Sequence, residues 1–207
     1  SATSEIDAMS STPSLPYDCA IVRGQGKQPL VVHGHGRGGN FLWSLGGISY
    51  GDWVLSIDDY LPNADVATFY FGYHEGYDPT AENNAPPTSG FVHPYTYSRI
   101  LFLLDWAEVR FPVDRDRVYA IGNSMGGSMA LFLALHDPER FAAAWAEVPK
   151  VDLSNFEDSA LNPAAFAPLW GAREANLMTD GGVGVYQRLS APWLAADNPA
   201  RCLPPLY

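Results

Sequence analysis

The sequence predicts an α/β fold in which a mainly parallel sheet is covered by helices on both faces. Three observations lead to this class. Short apolar runs recur along residues 28–150 with the length of buried strands, helical patterns lie between them, and glycine-rich turns follow two of the strands. With 207 residues, of which 47% are hydrophobic and 17% charged, the chain can bury one good core. We therefore predict one α/β domain.

The N-terminal part of the chain precedes this domain. Residues 1–16 are small, polar and interrupted by prolines, which predicts a tail, and the domain is expected over residues 17–207. Because the chain begins at Ser1 and not at Met, we expect that a signal peptide or leader has been removed, and that the protein is secreted or periplasmic. Cys19 and Cys202 would form a disulfide in an exported protein and would be free and buried in the cytosol, and the sequence leaves both open.

The first buried strand is predicted at residues 28–32, and a glycine-rich turn, HGHGRGG at residues 33–39, follows it. The spacing of Gly34, Gly36 and Gly39 also fits a dinucleotide-binding loop. However, no clear helix follows, and the bulky residues 40–43 are too large for the close packing that such a loop requires. We therefore expect no dinucleotide, and no other cofactor.

The remaining elements alternate between strand and helix. The expected order is a strand at residues 67–73, a helix from about Tyr97 that ends before Pro112, a strand at residues 117–121, a helix at residues 128–136 and a strand at residues 141–148. The helix from Tyr97 rests on apolar residues at helical spacing, which are Ile100, Leu103, Leu104, Ala107 and Phe111. Strands that alternate with helices in this way form parallel sheets.

The most informative motif is Gly-Asn-Ser-Met-Gly-Gly at residues 122–127. It lies between an apolar strand and an apolar helix, which is the context of the Gly-x-Ser-x-Gly nucleophile elbow. Such a turn exposes the Ser124 hydroxyl above the sheet, so the motif predicts that Ser124 is a catalytic nucleophile. The alternative is an ordinary glycine-rich turn.

With these two motifs, residues 28–150 resemble the α/β-hydrolase superfamily. Within it, the chain resembles secreted serine esterases related to polyhydroxybutyrate depolymerases and prolyl-oligopeptidase-type domains. The resemblance implies a three-layer α/β/α hydrolase fold and cleavage of a carboxylic ester through an acyl-enzyme at Ser124. It also implies an oxyanion hole formed by the backbone amides of Met125 and His35, and a possible cap insertion at residues 152–198.

The long segment between Gly72 and Tyr97 is a candidate wall of the substrate pocket, because loops of this length are commonly functional. Because it leaves the carboxyl end of the strand predicted at residues 67–73, we expect it to lie on the same rim as Ser124. The candidate pocket residues are Tyr73, His74, Tyr77 and Tyr95, although each of them could equally pack the loop down. These aromatic residues favour an aryl or sugar-linked ester, small or attached to a polymer, over a long acyl chain.

The sequence does not supply an evident base for Ser124. The histidines are His33, His35, His74, His93 and His136. Of these, only His136 follows Ser124, and it lies at the far end of the helix. Residues 203–207 are typical of the start of another strand. We therefore expect that the chain is truncated before the last strands, and that the acid and the histidine lie beyond Tyr207 or in a second polypeptide. The alternatives are an inactive hydrolase-fold binding module and a prolyl-oligopeptidase-like peptidase.

Charge and composition exclude several other classes of function. The formal net charge of −11 argues against nucleic acid or an anionic membrane as a partner. No apolar run approaches the ~20 residues of a membrane-spanning helix. No Cys/His cluster has the spacing of a metal site, so we expect no metal.

Overall fold

The computed structural model describes residues 17–46, 51–61, 67–154, 166–197 and 199–207. These residues divide between two compact units. Residues 17–59, 100–150 and 200–207 form a five-stranded unit, and residues 60–99 and 151–199 form a three-stranded unit. The predicted tail at residues 1–16 lies outside the described residues, as do residues 155–165 and 198 of the predicted cap, so both of these boundaries stay predictions.

The described residues form eight strands and five α-helices. In chain order they are β1 (Cys19–Val22), β2 (Gln28–Gly34), β3 (Trp53–Ile57), β4 (Tyr73–His74), β5 (Phe91–His93), α1 (Tyr95–Arg110), β6 (Val113–Asn123), α2 (Met125–His136), β7 (Ala143–Glu147), α3 (Ala167–Trp170), β8 (Met178–Thr179), α4 (Val185–Arg188) and α5 (Ala191–Asp197). A 3-10 helix, Phe41–Gly46, follows β2. The predicted α/β class is confirmed.

The five-stranded sheet has the order β1-β3-β2-β6-β7. Four of its strands are parallel, and β1 pairs with β3 in the antiparallel direction at one edge. The centre of the sheet is strongly apolar, since Leu30, Val32 and Val54 are fully buried. The register places Gly34 at the end of β2 beside Gly122 of β6 and beside Ile57 of β3. The carboxyl ends of these three strands therefore meet at one edge.

The two long helices follow from the apolar patterns of the sequence. Helix α1 begins two residues before Tyr97 and ends before Pro112, as predicted, and it buries Ile100, Leu104 and Ala107 completely. Helix α2 is apolar on all sides, and every residue from Met125 to Leu135 is buried. A helix of this composition is stable only when it is covered all round, so the position of α2 is fixed by burial of apolar surface.

One predicted strand is wrong. Residues 67–73 contain a turn in which the Phe71 N–H donates to the Thr68 carbonyl, and Phe69 and Tyr70 both have positive φ angles. These angles are incompatible with an extended strand. The strand that pairs with β2 is β3, which is buried at every residue and which we did not predict. The segment between Gly72 and Tyr97 was expected to leave the carboxyl end of the strand predicted at residues 67–73, so that expectation is wrong as well.

The three-stranded unit contains the small sheet β4-β5-β8. Its core includes Trp170, which is fully buried, stacks on Phe166 and donates its indole N–H to the Gly72 carbonyl at 2.8 Å. The Tyr186 hydroxyl donates to the Gly171 carbonyl at 3.0 Å. Buried aromatic residues whose polar atoms have partners therefore hold this unit together.

The C-terminal residues 205–207 lie along β7. The Ala144 N–H donates to the Pro205 carbonyl at 2.9 Å, and the Ala146 N–H donates to the Tyr207 carbonyl at 2.8 Å. Leu206 forms one parallel bridge with Ala144. The strand predicted from residue 203 is thus present as a single bridge.

The two cysteines, Cys19 and Cys202, are both free and exposed. The structure therefore shows neither the disulfide nor the burial that the sequence left open.

Candidate active site

Ser124 lies between the end of β6 and the start of α2, with φ 55° and ψ −114°. A positive φ is uncommon for a residue with a side chain, and such conformations are concentrated at functional sites. The backbone on both sides of it is fixed. The Ser124 N–H donates to the Glu147 carbonyl at 2.8 Å, and the Ser124 carbonyl accepts from the Ser128 N–H at 3.0 Å. The result is an exposed serine side chain on a constrained turn.

Close approach of the backbone explains the glycines of this turn. A Cβ on Gly126 would overlap the Gly34 carbonyl, and it would lie 3.0 Å from the carbonyl oxygen of His35. A Cβ on Gly122 would overlap the backbone of Gly126. Only glycine allows β2, β6 and α2 to approach this closely. The two glycines are therefore required for the sharp turn that carries Ser124.

The turn after β2 lies beside Ser124. A Cβ built on Gly36 would lie 3.6 Å from the Cβ of Ser124 and 3.5 Å from the Asn123 carbonyl oxygen. The Gly39 N–H donates to the Gly36 carbonyl at 3.0 Å and so closes this turn. Residues 35–39, which we call the β2 turn, and the serine turn are thus brought together, as the two sequence motifs predicted.

Met125 is the first residue of α2. The first N–H groups of a helix have no partner within it, and the helix dipole gives this end a partial positive charge. The Met125 side chain is buried, with 1% of its surface exposed. Its backbone amide therefore belongs to a rigid helix end that adjoins Ser124, where it could stabilise a developing negative charge.

The His35 side chain is fully buried, and both of its ring nitrogens have partners. Nδ1 lies 2.8 Å from the Gly36 carbonyl oxygen. Since a carbonyl can only accept, Nδ1 carries a hydrogen. Nε2 lies 3.2 Å from Oδ1 of Asp58 and 3.4 Å from the Asp59 amide nitrogen. The ring is therefore occupied by the β2 turn and by the end of β3, and it is not free to take a proton from Ser124.

The charge of Asp58 affects the protonation of His35. Burial by itself lowers the pKa of the imidazole. The hydrogen bonds to Asp58 and to the Gly36 carbonyl, together with the charges of Asp58 and Asp59, outweigh burial and raise the pKa of His35 above its ordinary value. In contrast, burial and the charge of His35 lower the pKa of His33.

His136 lies at the last position of α2. The 12 residues of this helix span about 18 Å, so the His136 ring lies at the opposite end from Ser124. There it stacks on Phe132, and Arg201 donates to its carbonyl oxygen at 2.9 Å. His136 is thus part of the C-terminal end of the helix.

The other two histidines belong to the three-stranded unit, where each has partners in that unit. His74 donates from Nε2 to the Ser89 carbonyl at 2.9 Å and accepts the Gly76 N–H at Nδ1 at 3.0 Å. His93 lies 2.6 Å from Asp180 through Nδ1 and 3.7 Å from Glu75 through Nε2. Both rings therefore connect strands and turns of the small sheet.

The predicted pocket tyrosines also lie in the three-stranded unit, where they form one aromatic cluster. The Tyr73 ring packs against Tyr77 at 5.4 Å and against Tyr95 at 4.8 Å, between ring centroids. Tyr73 and Tyr77 are buried, whereas Tyr95 is half-buried. Burial raises the pKa of Tyr95. The structure thus brings the four predicted pocket residues of this segment into one unit.

Asp58 and Asp59 are the residues of this site that the sequence analysis missed. They follow β3 directly, at the same edge of the sheet as the β2 turn. The signal was present in the sequence, since the apolar run at residues 53–57 is followed by two consecutive carboxylates. A buried strand that ends in acidic residues places them at the carboxyl edge, where parallel sheets carry their sites.

Within the described ranges, no group of three or more His, Cys, Asp or Glu residues could hold a metal ion. No helix in this part of the chain is long and apolar enough to cross a membrane.

Comparison with solved structures identifies the fold. An S-formylglutathione hydrolase from Agrobacterium tumefaciens is 24% identical, with a TM-score of 0.61 over 89% of this chain and 66% of that chain. The fluorophosphonate-binding serine hydrolase FphF from Staphylococcus aureus is 17% identical, with a TM-score of 0.60 over 92% of this chain and 71% of that chain. Our chain therefore spans about two thirds of the length of these enzymes. At these identities the likeness shows that they share a fold, and that fold is the α/β-hydrolase fold.

Comparison of sequences gives the family. No curated protein sequence matches the chain significantly. The profile of the family described as "Esterase: Putative esterase" matches residues 47–201, which is more than half of the chain. The protein therefore belongs to the esterase family and has the fold of an α/β-hydrolase.

Proposed function

We propose that this protein is a serine esterase that cleaves a carboxylic ester through an acyl-enzyme formed on Ser124. The observation that carries the proposal is the conformation of Ser124, an exposed serine with positive φ between a central parallel strand and a buried helix. This conformation supports the proposal that the turn is a nucleophile elbow. Membership of the esterase family supports the same reaction.

The proposed chemistry has two steps. The Ser124 hydroxyl oxygen attacks the ester carbonyl, and the alcohol leaves with a proton. Water then attacks the acyl-enzyme and releases the acid and the free serine. In both steps the carbonyl oxygen becomes an anion, and the backbone amides of Met125 and His35 are the proposed donors to it. One such donor lowers the activation barrier by about 2.7–4 kcal/mol in enzymes of this kind.

The base and its acid are proposed to lie beyond Tyr207, either in the same polypeptide or in a second one. A serine hydroxyl needs a base that accepts its proton. The ring nitrogens of His35 are occupied by Gly36, Asp58 and Asp59, and His136 lies at the far end of α2. The positions of these two histidines support the proposal that a histidine outside residues 1–207 acts as the base.

The proposed substrate is an aryl or sugar-linked ester, small or attached to a polymer, and the proposed location is outside the cytoplasm. The aromatic cluster of Tyr73, Tyr77 and Tyr95, with His74, supports this class of substrate. Tyr95 is the half-buried tyrosine of this cluster, and we propose that its partly exposed ring contacts the ligand. We also propose that, among esterases, the protein is related to polyhydroxybutyrate depolymerases.

Labelling with a fluorophosphonate tests the nucleophile. The full-length protein should be labelled, Ser124→Ala should abolish labelling, and Ser89→Ala, at an exposed serine of the other unit, should leave it unchanged. Labelling that persists in Ser124→Ala would overturn the assignment of the nucleophile. An unlabelled full-length protein would instead support the inactive binding module.

Hydrolysis of p-nitrophenyl acetate and of a peptide p-nitroanilide tests the class of reaction. We expect turnover of the ester and little turnover of the anilide. The opposite preference would support the prolyl-oligopeptidase-like peptidase.

A further inference from the structure

The His35 side chain connects two parts of the site that are distant in sequence. It reaches from the β2 turn to Asp58, 23 residues further along the chain, and its ring is fully buried. A buried imidazole needs partners for both nitrogens, because an unpaired polar atom in the interior is costly. Here the partners lie at the carboxyl edge of the sheet. They are the Gly36 carbonyl on one side and the end of β3 on the other.

The Gly36 carbonyl accepts two hydrogen bonds. One comes from Nδ1 of His35 at 2.8 Å, and the other from the Gly39 N–H at 3.0 Å. Two donors on one carbonyl fix the plane of the peptide that follows it. This peptide links Gly36 to Arg37, and Gly36 lies directly beside Ser124, so the two hydrogen bonds restrain the β2 turn at the point where it adjoins the serine.

We propose that the His35 side chain, anchored by Asp58, is a positioning residue that holds the β2 turn in the geometry required for catalysis. The proposal rests on the proposed esterase function and adds a role for a side chain where only the backbone amide was assigned. His35 does not touch the reacting atoms in this role. It acts through the Gly36 carbonyl.

The anchor depends on charge. When the ring is protonated, Nε2 donates to the Asp58 carboxylate at 3.2 Å. When it is neutral, Nε2 can only accept, and its partner is the Asp59 N–H at 3.4 Å. In both states Nδ1 keeps its hydrogen and donates it to the Gly36 carbonyl. Deprotonation of Nε2 therefore weakens only the contact of the ring with the end of β3.

Among the described residues, the charged and titratable groups near the ring lie on β2, on the β2 turn and at the end of β3. His33 lies on the same strand, Asp58 and Asp59 lie at the end of β3, and Arg37 is exposed on the turn itself. From α2, Gly126 faces the His35 backbone, and it carries no charge. Because the pKa of His35 is raised, the ion pair is complete at low pH and is lost as the pH rises through that value.

Two substitutions of equal charge separate the contacts of the ring. The amide nitrogen of asparagine occupies the place of Nδ1, so His35→Asn keeps the bond to Gly36. The amide of glutamine reaches the place of Nε2, so His35→Gln keeps the bond to Asp58 and loses the bond to Gly36. We expect His35→Gln to lower kcat for p-nitrophenyl acetate about tenfold, equivalent to about 1.4 kcal/mol, with little change in KM. His35→Asn should retain most of the wild-type kcat.

Hydrogen exchange of residues 33–39 in the full-length protein provides a readout that is independent of activity. Exchange should be faster in His35→Gln than in His35→Asn, at equal thermal stability. Equal exchange in the two variants would overturn the proposal, as would faster exchange with an unchanged kcat. Faster exchange in a protein without Ser124-dependent activity would refute the esterase function and the catalytic role, and leave only the ordering of the turn.

The Asp58→Asn variant tests the charge. It should bring the pKa of His35, followed by NMR, towards the ordinary value. The loss of kcat relative to wild type should be largest at pH values between the pKa of His35 in the variant and that in the wild type, and it should shrink as the pH rises through the wild-type value, where the wild type loses the ion pair as well. A ratio of kcat values that stays constant with pH would contradict the ionic anchor.

Discussion

Replacement of Gly126 by alanine tests the close approach of α2 to β2 on which the serine turn depends. The added Cβ would overlap the Gly34 carbonyl and contact the His35 carbonyl oxygen at 3.0 Å. Overpacking costs about 1–3 kcal/mol, and the upper end applies because both contacts are backbone atoms that cannot rotate away. Alanine is better than glycine by about 1 kcal/mol within a helix, which offsets part of this cost.

The expected net loss for Gly126→Ala is therefore about 2 kcal/mol. For a chain of this length, about 1 kcal/mol corresponds to roughly 2–4 °C, so the melting temperature should fall by about 4–8 °C. Differential scanning calorimetry of the full-length protein measures this directly. Hydrolysis of p-nitrophenyl acetate should fall as well, because Gly126 supports both turns of the site.

Gly181→Ala provides a matched control. The nearest atoms to a Cβ at Gly181 are Nη1 of Arg188 at 3.8 Å and Oγ1 of Thr179 at 3.9 Å, which are ordinary contacts. Here alanine should be neutral or should stabilise the protein by about 0.4–1 kcal/mol. If Gly126→Ala melted at the same temperature as Gly181→Ala or above it, the inferred contact between α2 and β2 would be wrong.

Three further predictions concern the site and the second unit. Ser124→Ala should lower kcat by roughly 10⁶-fold, since only binding and the oxyanion hole would remain; a loss below tenfold would contradict the nucleophile. His35→Pro, which removes the amide N–H, should lower kcat at least ~10²-fold, beyond the effect of His35→Ala; equal losses would point to the side chain alone. Trp170→Ala should destabilise the protein by about 3–5 kcal/mol in denaturant unfolding, whereas the exposed Trp43→Ala should change stability by less than about 0.5 kcal/mol. Similar values for the two tryptophans would refute the packing of the three-stranded unit.

Local sequence determined much of the fold. The boundaries of α1 agree with the sequence within two residues, because apolar residues at helical spacing and Pro112 are local signals. The order of β6, Ser124 and α2 was also predicted from the sequence. It depends on the glycines and apolar runs within residues 117–136, and not on a distant part of the chain.

Residues 67–73 show where local reasoning failed. The run is apolar and rich in aromatic and β-branched residues, which favours a strand, yet Phe69 and Tyr70 adopt positive φ angles in a turn. Their burial in the three-stranded unit determines this conformation, and burial outweighs the local preference for an extended chain. The same error explains why β3 was not predicted: residues 67–73 were predicted as the strand after β2, whereas β3 precedes them in the sequence.

For the site, the sequence alone placed Ser124, Met125 and His35 at the ends of their elements, since the motif and the flanking strands fix which backbone groups lie at the carboxyl edge of the sheet. Only the tertiary structure decided what the His35 ring does. Its contact with Asp58 requires β2 and β3 to pair in parallel, with Gly34 beside Ile57. That register is set by apolar burial along both strands, a property of the folded sheet that no short stretch of sequence contains.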